Sequence, residues 1–139
     1  MIVMVIILAG VLSYVAAIEE QMADKHLKYI LYLDEFTDTS NYLTQQVRSF
    51  LITEDEKYYD NFWYEVDIAR NRETSISELK ALGLTQEEQK MIDAMVEISN
   101  TQILLENQAM TYIIDGINEK AQAIIFGEEY EENIYNNNA

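Results

Sequence analysis

The sequence has no cysteine and no proline, only 4 glycines among 139 residues, and a single histidine. Without cysteine there is neither a disulfide framework nor a thiolate site, which fits either side of a membrane. Without proline, and with so little glycine, nothing breaks long helices. Basic residues are scarce as well. Lys and Arg total 9 against 25 Asp and Glu, a formal net charge of -16, and every acid lies after Ile18. Phosphate backbones need clustered Lys and Arg, so nucleic acid is excluded as a partner. The same shortage argues against a helix lying flat on an anionic bilayer. His26 alone cannot supply a catalytic triad, a His-ligated zinc site or a Glu-x-x-His di-iron pair. No nucleophile–base pair, phosphate-binding glycine loop or spaced ligand set stands out. No enzyme activity, catalytic residue, metal or cofactor is therefore expected.

What the sequence does have is helical periodicity. In the stretch 91–126, apolar residues fall at Met91, Met95, Ile98, Leu105, Ala109, Tyr112, Ile113, Ile117, Ala121 and Ile124. Steps of three and four mark the seam of a long helix packed on others. Gln102 and Gly116 interrupt that seam. As one helix it would be roughly 50–55 Å long, and its stripe needs partner helices.

Residues 1–18, MIVMVIILAGVLSYVAAI, carry no charge. As a helix they reach about 27 Å, close to the roughly 30 Å of a hydrocarbon core. They read as a transmembrane anchor. A cleavable signal peptide is the rival reading, with Val15-Ala16-Ala17 as a passable cleavage context, although no basic residue precedes the apolar run. A buried core helix is the third. Lys25 and Lys28 follow the run, and taken alone they place the C-terminal side in the cytoplasm.

Residues 19–52 continue the helix, with Leu33, Phe36, Ser40, Leu43, Val47 and Phe50 as its stripe. Thr53-Glu54-Asp55-Glu56 has the form of a capping box and opens a second helix, 54–82. Gly83 suits a left-handed cap. Thr85-Gln86-Glu87-Glu88 is a second capping box, opening a third helix, 86–126. The short link between helices two and three makes them antiparallel neighbours. Gly127 closes helix three, and 128–139 is a tail or the start of a further helix. The expected fold is all-α: long up-down antiparallel helices, an incomplete four-helix bundle, with an N-terminal transmembrane helix. Its uncovered stripe points to a homodimer.

The chain resembles a known family at LTQQVRSFLITEDEKYYDNFWYEV (43–66), ARNRETSISELKALGLTQEE (69–88), LLENQAM (104–110) and AIIFGEEY (123–130). In their order and spacing these stretches look like the extracytoplasmic four-helix-bundle sensor domains of bacterial methyl-accepting chemotaxis proteins. Similar domains occur on membrane-bound histidine kinases and diguanylate cyclases. The resemblance implies a ligand-sensing input module of a transmembrane receptor in the cell membrane. The chain would be single-pass as given, with its helical domain outside the cytoplasm, against the weak lysine signal. The family's fourth helix would begin near 128–134, and its second span and signalling region would lie beyond this sequence. The alternative function is a membrane-anchored structural helical protein that binds a protein partner without a small ligand.

If a small organic acid or amino acid is bound, Arg48, Arg70 and Arg72 are the first donors to consider, since arginine forks onto carboxylates. Arg70 and Arg72 do not share a helix face. Against this stands ordinary pairing with Glu65, Asp67 and Glu73. Tyr58, Tyr59, Phe62, Trp63 and Tyr64 form an aromatic cluster near the first turn-around, with Tyr59 and Trp63 the candidates to line a pocket. Against this, alternate members simply fill the core. Glu106 and Asn107 break an apolar run and are candidate buried polar residues that fix register. The acidic groups 54–56 and 128–129 read as charged helix ends, with no EF-hand pattern.

Overall fold

A computed structural model describes the backbone of residues 2–127 and the side chains of residues 9–127. All its regular structure is helical, with no strand among the described residues. The first helix, α1 (Ile2–Thr53), runs unbroken for 52 residues. Its predicted stripe is the one that packs: Phe36, Ser40, Leu43, Val47 and Phe50 are buried, and Leu33 is half-buried. Hydroxyls along the helix bond back to the preceding turn, as Thr39 Oγ1 does to the Glu35 carbonyl at 2.8 Å. Among the described residues no helix is long and apolar enough to cross a membrane. The predicted span, 1–18, lies partly outside them, at Met1 and at the side chains of 2–8.

The second predicted helix starts later than expected and is broken in the middle. The Thr53 hydroxyl donates to the Ser49 carbonyl at 2.8 Å, so it finishes α1 instead of capping the next helix. The chain turns on Glu54, at φ 53° in the left-handed region. Asp55 is the N-cap of α2 (Glu56–Trp63), accepting the Lys57 amide at 3.1 Å. A π-helical turn, Tyr64–Ala69, follows, and Arg70 then adopts φ 52° before α3 (Asn71–Ala81). Glu65 explains the break. Its carboxylate accepts the Asn71 amide at 2.8 Å and Asn71 Nδ2 at 2.9 Å, so a residue of one helix caps the next.

The turn into α4 (Gln86–Ile114) follows the sequence closely. Gly83 takes φ 71°, and Thr85 and Glu88 form a complete capping box. The Thr85 amide bonds Glu88 Oε2 at 2.7 Å, and the Glu88 amide returns to Thr85 Oγ1 at 3.2 Å. The Thr85 amide and hydroxyl together hold the Glu88 carboxyl below the usual glutamate range.

Helix α4 stops well before 126. Gly116 adopts φ 72°, its amide bonds the Ile113 carbonyl at 3.0 Å, and the Ile117 amide bonds the Tyr112 carbonyl at 2.8 Å. That pair is a Schellman closure. A fresh helix, α5 (Asn118–Ile125), then begins. Gly116 is thus a stop and not a weak spot within one helix. Gly127 does not take the left-handed cap conformation, and the residues from 128 on lie outside the described chain.

Side-chain pairs fix the chain directions. Gln46 meets Asn61, and Lys25 reaches the Gly83 carbonyl at 2.8 Å, so α2 and α3 run back along α1. Arg72 meets Ser99 and Lys80 meets Asp93, so α4 returns antiparallel to α3. Asn118 touches Glu54, and Phe126 lies over Arg48, so α5 turns back along α1. The start of a fourth pass therefore lies within the described residues, ahead of the expected 128–134.

The densest apolar core sits at this turn-around end. It joins Leu43, Val47, Phe50 and Leu51 of α1 with Phe62, then Ala109, Met110 and Ile113 of α4, and Ala121 and Ile125 of α5. The buried face of α4 differs from the predicted seam. Met91 is 67% exposed, and the inward residues are Ile92, Ser99, Gln102, Glu106, Ala109, Met110 and Ile113.

Candidate functional site

Two places concentrate chemistry. The first is a belt of buried polar groups between the core and the α3–α4 turn. Glu106, only 1% exposed, accepts Thr44 Oγ1 at 2.8 Å and Gln102 Nε2 at 3.3 Å. Gln102 Nε2 also donates to Thr44 Oγ1 at 2.8 Å. A buried carboxyl is tolerated only with such partners. The register-fixing reading of Glu106 agrees with this placement, while Asn107 is half-buried. Nearby, Arg72 is buried with its fork fully engaged. Nη1 donates to Ser99 Oγ at 2.9 Å, Nη2 to Asn100 Oδ1 at 3.0 Å and to Glu73 Oε1 at 2.6 Å, and Nε to Glu73 at 3.1 Å.

The three arginines are not brought together. Arg72 serves the fold through Glu73, one of the neighbours expected from the sequence. Arg70 is exposed at the junction before α3. Arg48 is half-buried on α1, its guanidinium 5.8 Å from the centre of the Phe126 ring. His26 is exposed.

The second place is a cavity of about 460 Å³ at the turn-around end. Phe50, Tyr59, Ile113 and Ile114 form its apolar lining, and Glu54, Glu56 and Asp60 form the polar part. The Phe50 and Tyr59 rings stand 5.8 Å apart at 51°, making an aromatic corner. Trp63 packs against Tyr59 at 6.4 Å and Phe62 at 5.4 Å, so it backs the corner without lining the cavity. Its Nε1 is buried without a hydrogen-bond partner.

The left-handed turn at Glu54 brings that carboxylate to the rim, where Oε1 accepts Asn118 Nδ2 at 3.2 Å. The other side of that amide, Oδ1, is buried and has no hydrogen-bond partner. The neighbouring cation, Lys57, is held by Asp55 at 2.9 Å and lies 4.6 Å from the Tyr58 ring centre. The Lys57 ammonium and backbone amide hold Asp55 below the usual aspartate range, and Asp55 in turn raises Lys57. No Lys or Arg lines the cavity.

Tyr59 is where the sequence suggested. Ile113, Ile114, Asp60 and Glu54 went unrecognised, because their convergence depends on the Gly116 stop and on a left-handed glutamate. Glu54 and Glu56 read from sequence only as charged helix ends. Among the described residues no group of acids or His is placed to hold a metal ion. Comparison with known proteins gives no match: no family model, no curated relative and no solved structure aligns with the chain.

Proposed function

We propose that this chain is the ligand-sensing input module of a bacterial transmembrane receptor, of the chemoreceptor kind. It would be anchored by residues 1–18, with its helical domain outside the cytoplasm. The observation that carries this reading is the continuity of α1. One helix of 52 residues joins the apolar N-terminal run to the turn-around cavity. From Ile18 to Phe50 it covers about 48 Å at 1.5 Å per residue. A ligand seated at Phe50 therefore touches the same rigid element that would enter the bilayer. Packed helices respond to such an input by shifts of about 1–2 Å.

The module works as a homodimer. Leu27, Ile30 and Leu31 form an exposed apolar stripe on α1, on the stretch between the predicted span and the packed core. Light scattering across a wide concentration range tests this, and a stable monomer contradicts it. A second reading, a membrane-anchored structural protein that docks a protein partner, draws on exposed Met91, Leu104 and Ile114 of α4.

Thermal unfolding of the full chain in a neutral detergent, against amino acids, organic acids, amines and small aromatics, separates the two. A saturating upward shift with one compound supports the sensor. At a hundredfold excess over Kd the stabilisation is about 2.7 kcal/mol. A cooperatively folded chain that answers none of them overturns it and favours the partner-binding reading.

A further inference from the structure

We infer that the turn-around cavity takes a cationic amine bearing an apolar or aromatic group, and not an organic acid. This rests on the reading above that this end of the molecule receives a ligand, and it names the class of that ligand.

Three separate features of the cavity agree. Its volume of about 460 Å³ and its lining of Phe50, Tyr59, Ile113 and Ile114 suit a small apolar body. The lining includes two aromatic rings, Phe50 and Tyr59, tilted at 51°, and aromatic rings attract ammonium groups over their faces and not carboxylates. The charged part of the lining is wholly acidic, Glu54, Glu56 and Asp60, with no cation among them.

The same charge pattern decides against an anion. An ammonium brings N–H donors, whereas a carboxylate brings only acceptors. An anion would therefore meet three carboxylates, with the Tyr59 hydroxyl as the side-chain donor among the described lining residues. Arg72 is consumed by Ser99, Asn100 and Glu73, and Arg70 lies at another junction, so neither adds a cation to this cavity.

The test is isothermal titration of the full chain in neutral detergent with two probes of similar shape, phenethylamine and 3-phenylpropionate. Saturable binding of phenethylamine at one site per chain is expected, with none of the acid. Asp60→Asn and Tyr59→Ala should each weaken it by about tenfold, and added salt should weaken it further. Glu56→Gln provides a milder variant if Tyr59→Ala loses its fold by circular dichroism. Asp93→Asn, on the far surface with Lys80, should leave binding unchanged.

Binding of the acid as tight as the amine overturns the inference. So does an unsaturable isotherm, or one that Asp60→Asn and Glu56→Gln do not move, because that is diffuse attraction to an acidic protein. If the amine fails while another compound raises the melting temperature, the ligand class is wrong and the sensor reading stands. If the amine binds at Asp60 but leaves the far end of α1 undisturbed, the cavity assignment stands and the sensor reading fails.

Discussion

Around Phe50 and Phe62, apolar side chains of α1, α2, α4 and α5 pack into one buried cluster. Towards the α3–α4 turn the same bundle of contacts buries Thr44, Gln102, Glu106, Arg72, Ser75 and Ser99. The two regions differ in what they resist. Apolar packing is non-directional and strong, and deleting a ring leaves a cavity. Hydrogen-bonded belts add little net stability, because each bond replaces one made to water, but they demand one register. The apolar end thus holds the fold and the cavity walls together. The belt sets how α1 and α4 align.

The largest effect that would break this contrast is at Phe62, which is fully buried. Phe62→Ala should cost about 3–5 kcal/mol in denaturant unfolding. A loss below about 1 kcal/mol would show that the apolar cluster is not the main source of stability.

Arg72→Met should cost less, about 2–3 kcal/mol, because it strands Ser99 and Asn100 and frees a carboxylate that is already partly exposed. An unchanged midpoint would mean that the belt contributes nothing to stability. Thr44→Val keeps the shape and removes one hydroxyl from Glu106 and Gln102, at about 1–2 kcal/mol. Its sharper readout is the ligand response, which should change more than stability does if the belt governs register.

The smallest effect is at the α4 N-terminus, where Thr85→Ala should cost about 1 kcal/mol. This contribution has a pH signature. Glu88 is held below its usual range, so the box contributes fully above the unfolded glutamate pKa of about 4.3. It is lost as pH falls through the lower folded value. The gap between wild type and Glu88→Gln should therefore close in acid, and a gap constant from neutral pH to strong acid would contradict the assignment.

Much of the fold could be read from local chemistry. The absence of proline allowed α1 its full length, and its stripe from Phe36 to Phe50 is the buried one. Gly83 and the Thr85–Glu88 box specified their turn, because left-handed glycine and reciprocal capping are local signals. Gly116 carried the same signal, with Ile117 after it, but sat inside an apolar periodicity that spans both helices it separates. The break at Arg70 had no local mark, since it depends on Glu65 reaching forward to cap Asn71. Nor did Glu54, a residue type rarely found with positive φ. The face of α4 differs from the apolar seam because Met91 looks like a core residue and Gln102 does not. Tertiary hydrogen bonds to Thr44 reverse that preference.

Of the candidate site, the aromatic half was legible at Tyr59. Its acidic half was visible only as charged helix ends. Of the arginines, burial commits Arg72 to Ser99, Asn100 and Glu73, a tertiary arrangement that scarcity in the sequence does not reveal.

The cavity and the N-terminal end of α1 share one helix, and the lack of cysteine makes a direct test of their coupling practical. Spin labels at Met22→Cys and Glu87→Cys would report the spacing of α1 and α4 near the predicted span, by pulsed electron paramagnetic resonance of the full chain in neutral detergent. Adding a saturating amount of whichever compound raises the melting temperature should shift that distance by about 1–2 Å. A distance distribution unchanged by a ligand shown to be bound would contradict the account.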